Sequence, residues 1–162
     1  MTPGASAGPG RSVPEAARWD ASQPPSIPAD GHRWRLSGHL ELSAMRRAAR
    51  GLVARGVAAV PGGAGDVDHA EAVERVVLAL DELASNALRH GGPPVSAELF
   101  DRGDTWLIVV TDSAIAELPV PAVGRPGGLG GFGLYIVADF SVAHGIEVWP
   151  DHKRVWAELP KG

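Results

Sequence analysis

The sequence predicts an α+β fold, a two-layer sandwich with helices packed on one face of a mixed, mostly antiparallel sheet. Three observations carry this. Strand-like runs come in pairs around short turns. Helical runs are grouped rather than alternating with strands. One run, Trp106–Asp112, holds five apolar residues in succession, as a covered central strand does.

Taken in order, residues 1–31 come first, and 20 of them are Pro, Gly, Ala or Ser. They lack hydrophobic periodicity and read as a disordered tail, leaving 32–162 as the folded domain. Arg33–Ser37 alternates polar and apolar residues and reads as a short strand. From Leu40 to Val57, Leu42, Met45, Ala49, Leu52 and Val53 recur at helical spacing, which predicts an amphipathic helix. Asp68 then reads as an N-cap, with Glu71 in the capping-box position. Val73, Val76, Val77, Leu80, Leu83, Ala84, Ala87 and Leu88 form one stripe along a second helix, stopped by Gly91-Gly92-Pro93-Pro94. Val95–Asp101 and Trp106–Asp112 make a hairpin around Arg102-Gly103-Asp104. Residues 113–130 are irregular, with three Pro and four Gly, and a loop of that length in a compact domain is usually functional or disordered. Gly131–Ala143 reads as a third helix, and Gly145–Trp149 with Arg154–Leu159 as a final hairpin.

Bulk composition excludes several function classes. The formal net charge of −4 provides no basic footprint for a nucleic-acid partner. The absence of cysteine removes disulfides, zinc–thiolate sites and thiol nucleophiles, and fits a reducing compartment. No run of 18 apolar residues predicts a membrane span, and no apolar core of a secretory signal follows the first positive charges. The expectation is a cytoplasmic protein without a membrane or nucleic-acid partner.

Three groups of residues can carry chemistry. Glu82, Asn86 and His90 are spaced by four on the long helix, so their side chains lie close to one line. A carboxylate beside a carboxamide suits a hard cation such as Mg²⁺ together with a proton acceptor; a solvated polar helix face has the same pattern. Asp112 ends the most apolar strand, where an acid can accept a hydrogen bond from an exocyclic amine or simply cap the following turn. Gly127 to Leu134 is glycine-rich and leads into a helix, so backbone N–H groups there can approach a phosphate; a flexible loop is the plainer reading. Gly128, Gly130 and Gly133 spell G-x-G-x-x-G, but Asp112 lies 16 residues earlier, too far for the tight strand-to-helix turn of a dinucleotide site.

Together, Glu82-Leu-Ala-Ser-Asn86-Ala-Leu-Arg-His90, Asp112, and Gly131-x-Gly133-Leu134-x-Ile136-Val resemble the N, G1 and G2 boxes of the Bergerat-fold, histidine-kinase-like ATPases. The resemblance covers about residues 33–160 and is closest to the bacterial anti-sigma-factor serine/threonine kinases. It implies ATP and Mg²⁺ as cofactors. It implies Glu82 as general base, Asn86 as magnesium ligand, Asp112 at the adenine amine, and Gly131, Gly133 and Leu134 at the phosphates, with 113–130 as lid. It further implies a small antagonist protein or a sigma factor as partner, and it allows a homodimer. The sequence departs from the family pattern where Ala114 and Ala116 replace glycines after Asp112, and where Arg154 stands at a common threonine position on the closing strand. These changes bring in a second reading, a non-catalytic Bergerat-fold module that sequesters its partner with weak or no nucleotide binding. A histidine-kinase catalytic domain working in trans is a third.

Overall fold

The computed structural model describes residues 17–59, 66–119 and 132–162. Among the described residues, five strands and three helices follow in the order β1 (His32–Leu36), α1 (His39–Ala58), α2 (Asp66–His90), β2 (Val95–Asp101), β3 (Thr105–Asp112), α3 (Phe132–Phe140), β4 (Ala143–Val148) and β5 (Lys153–Pro160). The sheet order is β1-β2-β3-β5-β4. Among the described residues all four strand pairings are antiparallel, and the parallel character expected of a mixed sheet is confined to one isolated bridge, Ala21 to Ile146.

Period-two alternation divides the sheet between two cores. On β3, Trp106, Ile108 and Val110 face the helices, where they join Leu42, Met45, Val53, Val76, Leu80 and Leu83. Leu107 and Val109 point the other way and meet Phe100 and Trp156. Five successive buried residues on β3 follow from its central place, between β2 and β5. The β2–β3 turn closes with Arg102 N–H donating to Thr105 O (2.9 Å), and Gly103 takes φ +86°, a left-handed conformation that glycine adopts without a steric cost.

The long apolar stripe of α2 is buried as its spacing predicts, with Leu88 half-buried at the end. Its start differs from expectation. The helix begins at Asp66, so Asp68 lies inside the first turn instead of capping it. Glu71 accordingly pairs with Arg75 one turn on. Early acidic residues here still favour the positive end of the helix dipole. The third helix spans Phe132–Phe140 rather than 131–143; Ser141 ends it, its N–H donating to Val137 O (3.0 Å).

The expectation of a disordered tail through residue 31 does not hold for residues 17–31. Trp19 enters the helix-side core, packs its ring at a tilt against His144 with centroids 4.7 Å apart, and donates from Nε1 to the Leu134 carbonyl at 3.3 Å. Ser22 N–H donates to Ile146 O and Ile146 N–H to Asp20 O (2.9 and 3.1 Å), which forms the parallel bridge on β4. The chain then crosses the face opposite the helices. Trp156 Nε1 donates to Ser22 O at 2.9 Å, Arg102 donates to Ser26 O, and Gly31 lies against the Phe100 ring. Leu107, Val109, Phe100 and Trp156 would otherwise present a bare apolar face. Covering such side chains at about 1.5–3 kcal/mol each offsets the ordering of an irregular segment. Residues 1–16 lie outside the described residues. No helix among the described residues is long and apolar enough to cross a membrane.

Candidate functional site

The site forms where α2, α3 and the end of β3 meet. Glu82 and Asn86 lie one turn apart on α2, both half-buried, and His90, the last residue of the helix, is exposed. The apolar stripe of α2 faces the sheet, and this turns the Glu82–Asn86 line toward α3, which packs beside it. Gly133 is the second residue of α3, and its backbone lies directly on the Glu82 carboxylate. A Cβ at position 133 would collide with Oε2, Cδ and Cγ of Glu82. Any side chain here would have to displace the Glu82 carboxylate, so glycine is favoured by close approach, not by conformation. Two groups read separately from the sequence, the acid of the long helix and the glycine-rich helix start, are in contact.

Burial pushes the Glu82 carboxyl above the ordinary glutamate range, the neighbouring charge of Asp81 adds to this, and Arg89 opposes it. Asp81 is held near α1 by Arg46, whose Nε lies 3.4 Å from Oδ1 without hydrogen-bond geometry. A raised carboxyl pKa makes protonation favour the folded state. That contribution is fully present below the unfolded pKa, near 4.5, and is lost as pH rises through the folded value. The stability of the wild type relative to Glu82→Gln is accordingly expected to fall between pH 4 and neutrality, as read from denaturant unfolding of both proteins across that range. A difference independent of pH would show that Glu82 is not perturbed.

Leu134 is buried, its side chain in the helix-side core and its carbonyl bonded to Trp19. Only its amide, in the first turn of α3, remains for a ligand. Gly131 and residues 120–130 of the expected lid lie outside the described residues.

Asp112 ends β3 as expected, but its carboxylate is fully buried and already engaged. Oδ1 accepts from Lys153 Nζ at 2.7 Å and from the Ala114 N–H at 2.9 Å. Lys153 also donates to Ala114 O at 2.6 Å. The two residues stand opposite each other in the β3–β5 ladder. Arg154, singled out from the sequence on this strand, faces the other way, toward Glu147 and the Trp149 ring. Lys153 is the residue that sequence reasoning missed. The signal was available in the alternation of β5, since Val155, Ala157 and Leu159 face the helices and position 153 must share their side.

The backbone of Gly91 and Gly92 closes over this pair from the end of α2. A Cβ at Gly91 would lie 2.6 Å from Asp112 Cγ, and one at Gly92 would lie 2.5 Å from Ser113 Oγ. Ser113 N–H donates to Gly92 O (2.9 Å) and its hydroxyl to Pro93 O (2.8 Å). A cavity of about 930 Å³ lies nearby, between the start of α1 and the end of α2, lined by Arg33, Arg35, Glu41, Leu88 and Thr111. None of Glu82, Asn86, Asp112 or Gly133 borders it, whereas Gly91, which closes over Asp112, does.

Among the described residues, no three His, Asp or Glu side chains converge as a metal cage. A Mg²⁺ bound mainly by phosphate oxygens needs none, because it keeps most of its shell from substrate and water and takes one or two protein ligands. A lone carboxamide, Asn86, one helical turn from the acid that touches the start of α3, fits that pattern.

The histidine kinase-like ATPase domain family matches residues 42–157, from α1 into β5. No curated protein matches the chain. The match covers well over half the sequence, and the chain belongs to this family.

Proposed function

We propose that this member of the histidine kinase-like ATPase domain family binds ATP with Mg²⁺ and transfers the γ-phosphoryl group to a Ser or Thr hydroxyl of a small antagonist protein, as an anti-sigma-factor kinase does. Family membership supports the ATP-binding regulatory role. The observation that carries the finer reading is the contact between the Glu82 carboxylate and Gly133, which sets a proton acceptor against the start of α3.

Phosphoryl transfer asks little of the protein beyond positioning and neutralisation of charge. The N–H groups at the start of α3 and the positive end of its dipole suit phosphate oxygens, and Gly133 lets them come close. Asn86 would hold Mg²⁺, which when bound offsets the charge on the transferring group. Glu82 would take the proton of the attacking hydroxyl. Its pKa, raised by burial, brings it closer to the operating pH, where a general base is most effective.

Calorimetric titration with magnesium-ATP tests this reading. The wild type is expected to bind, and Asn86→Ala to weaken magnesium-dependent binding by about tenfold or more, in line with loss of a charge-assisted contact of about 1.5–3 kcal/mol. Absence of binding by the wild type at millimolar magnesium-ATP would sink it.

A second reading is favoured by one specific observation, the engagement of Asp112 by Lys153. Here the domain sequesters a sigma factor or antagonist through its surface and transfers no phosphate. Binding of ATP with no transfer to any antagonist, unchanged by Glu82→Gln, would select it.

A further inference from the structure

We infer that Trp19 is a positioning residue for the phosphate end of the site: through its bond to the Leu134 carbonyl the N-terminal segment sets the first turn of α3, and nucleotide affinity depends on that bond. The inference rests on the nucleotide-binding reading above and deepens it.

The helix that would meet the phosphates is weak by itself. It has nine residues, and isolated helices shorter than about 12–15 residues are marginal in water. Its first turn holds no acid. Its last turn holds no base, and Asp139 there meets the negative end of the dipole. The setting of α3 therefore comes from what packs against it, and Leu134 and Val137 tie it to the helix-side core.

Two adjacent residues of the N-terminal segment hold this helix at both ends. At the first turn, Trp19 Nε1 donates to Leu134 O at 3.3 Å in a buried setting. A helix carbonyl accepts from the residue four on, and its second lone pair is open to the indole. Just past the last turn, Ser141 Oγ lies 3.0 Å from His144 Nδ1 and 3.1 Å from Ala138 O. His144 Nε2 in turn donates to Arg18 O at 2.8 Å; a carbonyl only accepts, so this nitrogen carries the proton. The tilted contact between the Trp19 and His144 rings joins the two anchors.

The first anchor falls beside the chemistry. Leu134 follows Gly133, whose backbone lies on the Glu82 carboxylate. Holding the peptide after Leu134 fixes the rotation of that turn, and with it the direction of the N–H groups that a phosphate would meet. Trp19 thus supports the site from 115 positions away in the chain. Order in the segment and affinity at the site are coupled, and such coupling is reciprocal.

The test is calorimetry with magnesium-ATP on the full chain, comparing wild type, Trp19→Phe and Trp156→Phe well below the unfolding temperature of each. Trp19→Phe keeps an aromatic ring and removes the donor. Trp156→Phe removes an indole donor to the same segment, at Ser22 O, on the face opposite the helices. Trp19→Phe is expected to weaken binding about fivefold, the size of effect one hydrogen bond transmits, and Trp156→Phe to leave it within about twofold. A residue that only stabilises the fold would leave the affinity of the folded protein unchanged. Equal affinity in Trp19→Phe and wild type would overturn the inference while leaving the nucleotide reading intact, and so would an equal loss in both variants. No binding by the wild type would overturn the nucleotide reading and the inference together. The wild type decides the matter even where Trp19→Phe does not fold. Bound magnesium-ATP is expected to slow amide exchange at Ser22, whose N–H donates to Ile146 O, by about fivefold, and unchanged exchange would overturn the inference.

Discussion

Phosphoryl transfer by Glu82→Gln is expected to fall by about 10²–10⁴-fold, while magnesium-ATP binding stays within about threefold of wild type. The substitution keeps the shape of the side chain and its packing against Gly133, and removes only the ability to accept a proton. A residue acting only in the transfer step lowers the rate without weakening ground-state binding. The slow hydrolysis in which water replaces the protein hydroxyl should drop with it, because water needs the same acceptor. Rapid-mix phosphate release together with calorimetry separates the two effects. Loss of binding in parallel with transfer would make Glu82 a packing residue for α3, and retention of transfer would remove it from the chemistry.

The second large effect concerns stability. Trp19→Ala is expected to destabilise the domain by about 3 kcal/mol, as truncation of a buried aromatic does. Trp19 loses its place in the core, its tilted ring contact with His144 and its bond to the Leu134 carbonyl at once. That carbonyl lies in the first turn of α3, so the loss is felt beside Gly133 as well. Trp149→Ala provides the contrast. Trp149 is 45% exposed next to the β4–β5 turn, where it stacks on His152 and lies near Arg154. Its removal should cost under about 1 kcal/mol. Equilibrium unfolding in urea reads both. Equal small effects would mean that residues 17–31 merely rest on the domain.

Much of the fold was legible because its signals are local. The stripe on α2 is a repeat of three and four residues, and the covered state of β3 follows from five adjacent apolar side chains. The crossing segment was illegible for the converse reason. Residues 20–31 are held mainly by their backbone, through Asp20 O, Ser22 N and O and Ser26 O, and such bonds leave no periodicity in side chains. Pro- and Gly-rich composition, which reads as disorder, is equally compatible with an extended segment fastened at a few points. In the site, the residue types of Glu82, Asn86 and Gly133 pointed to their neighbourhood. The ion pair of Asp112 with Lys153 joins positions 41 apart and depends on the register of two strands, which one sequence does not display. The glycines missing after Asp112 have counterparts in Gly91 and Gly92, which supply the close approach from the helix side.

The crossing segment also settles what the sheet offers to other chains. A β-sheet invites edge-to-edge association wherever an outer strand leaves its backbone groups unpaired. Here β4 is one outer strand, and the bridge at Ala21 takes up the N–H and the carbonyl of Ile146. The opposite outer strand, β1, carries Arg33 and Arg35, and charged side chains on an edge discourage a neighbouring strand. The broad face between them is crossed by the chain's own residues. Strand-to-strand recruitment of a neighbour in a crowded solution is therefore opposed at Ile146 on one margin and by the arginines of β1 on the other.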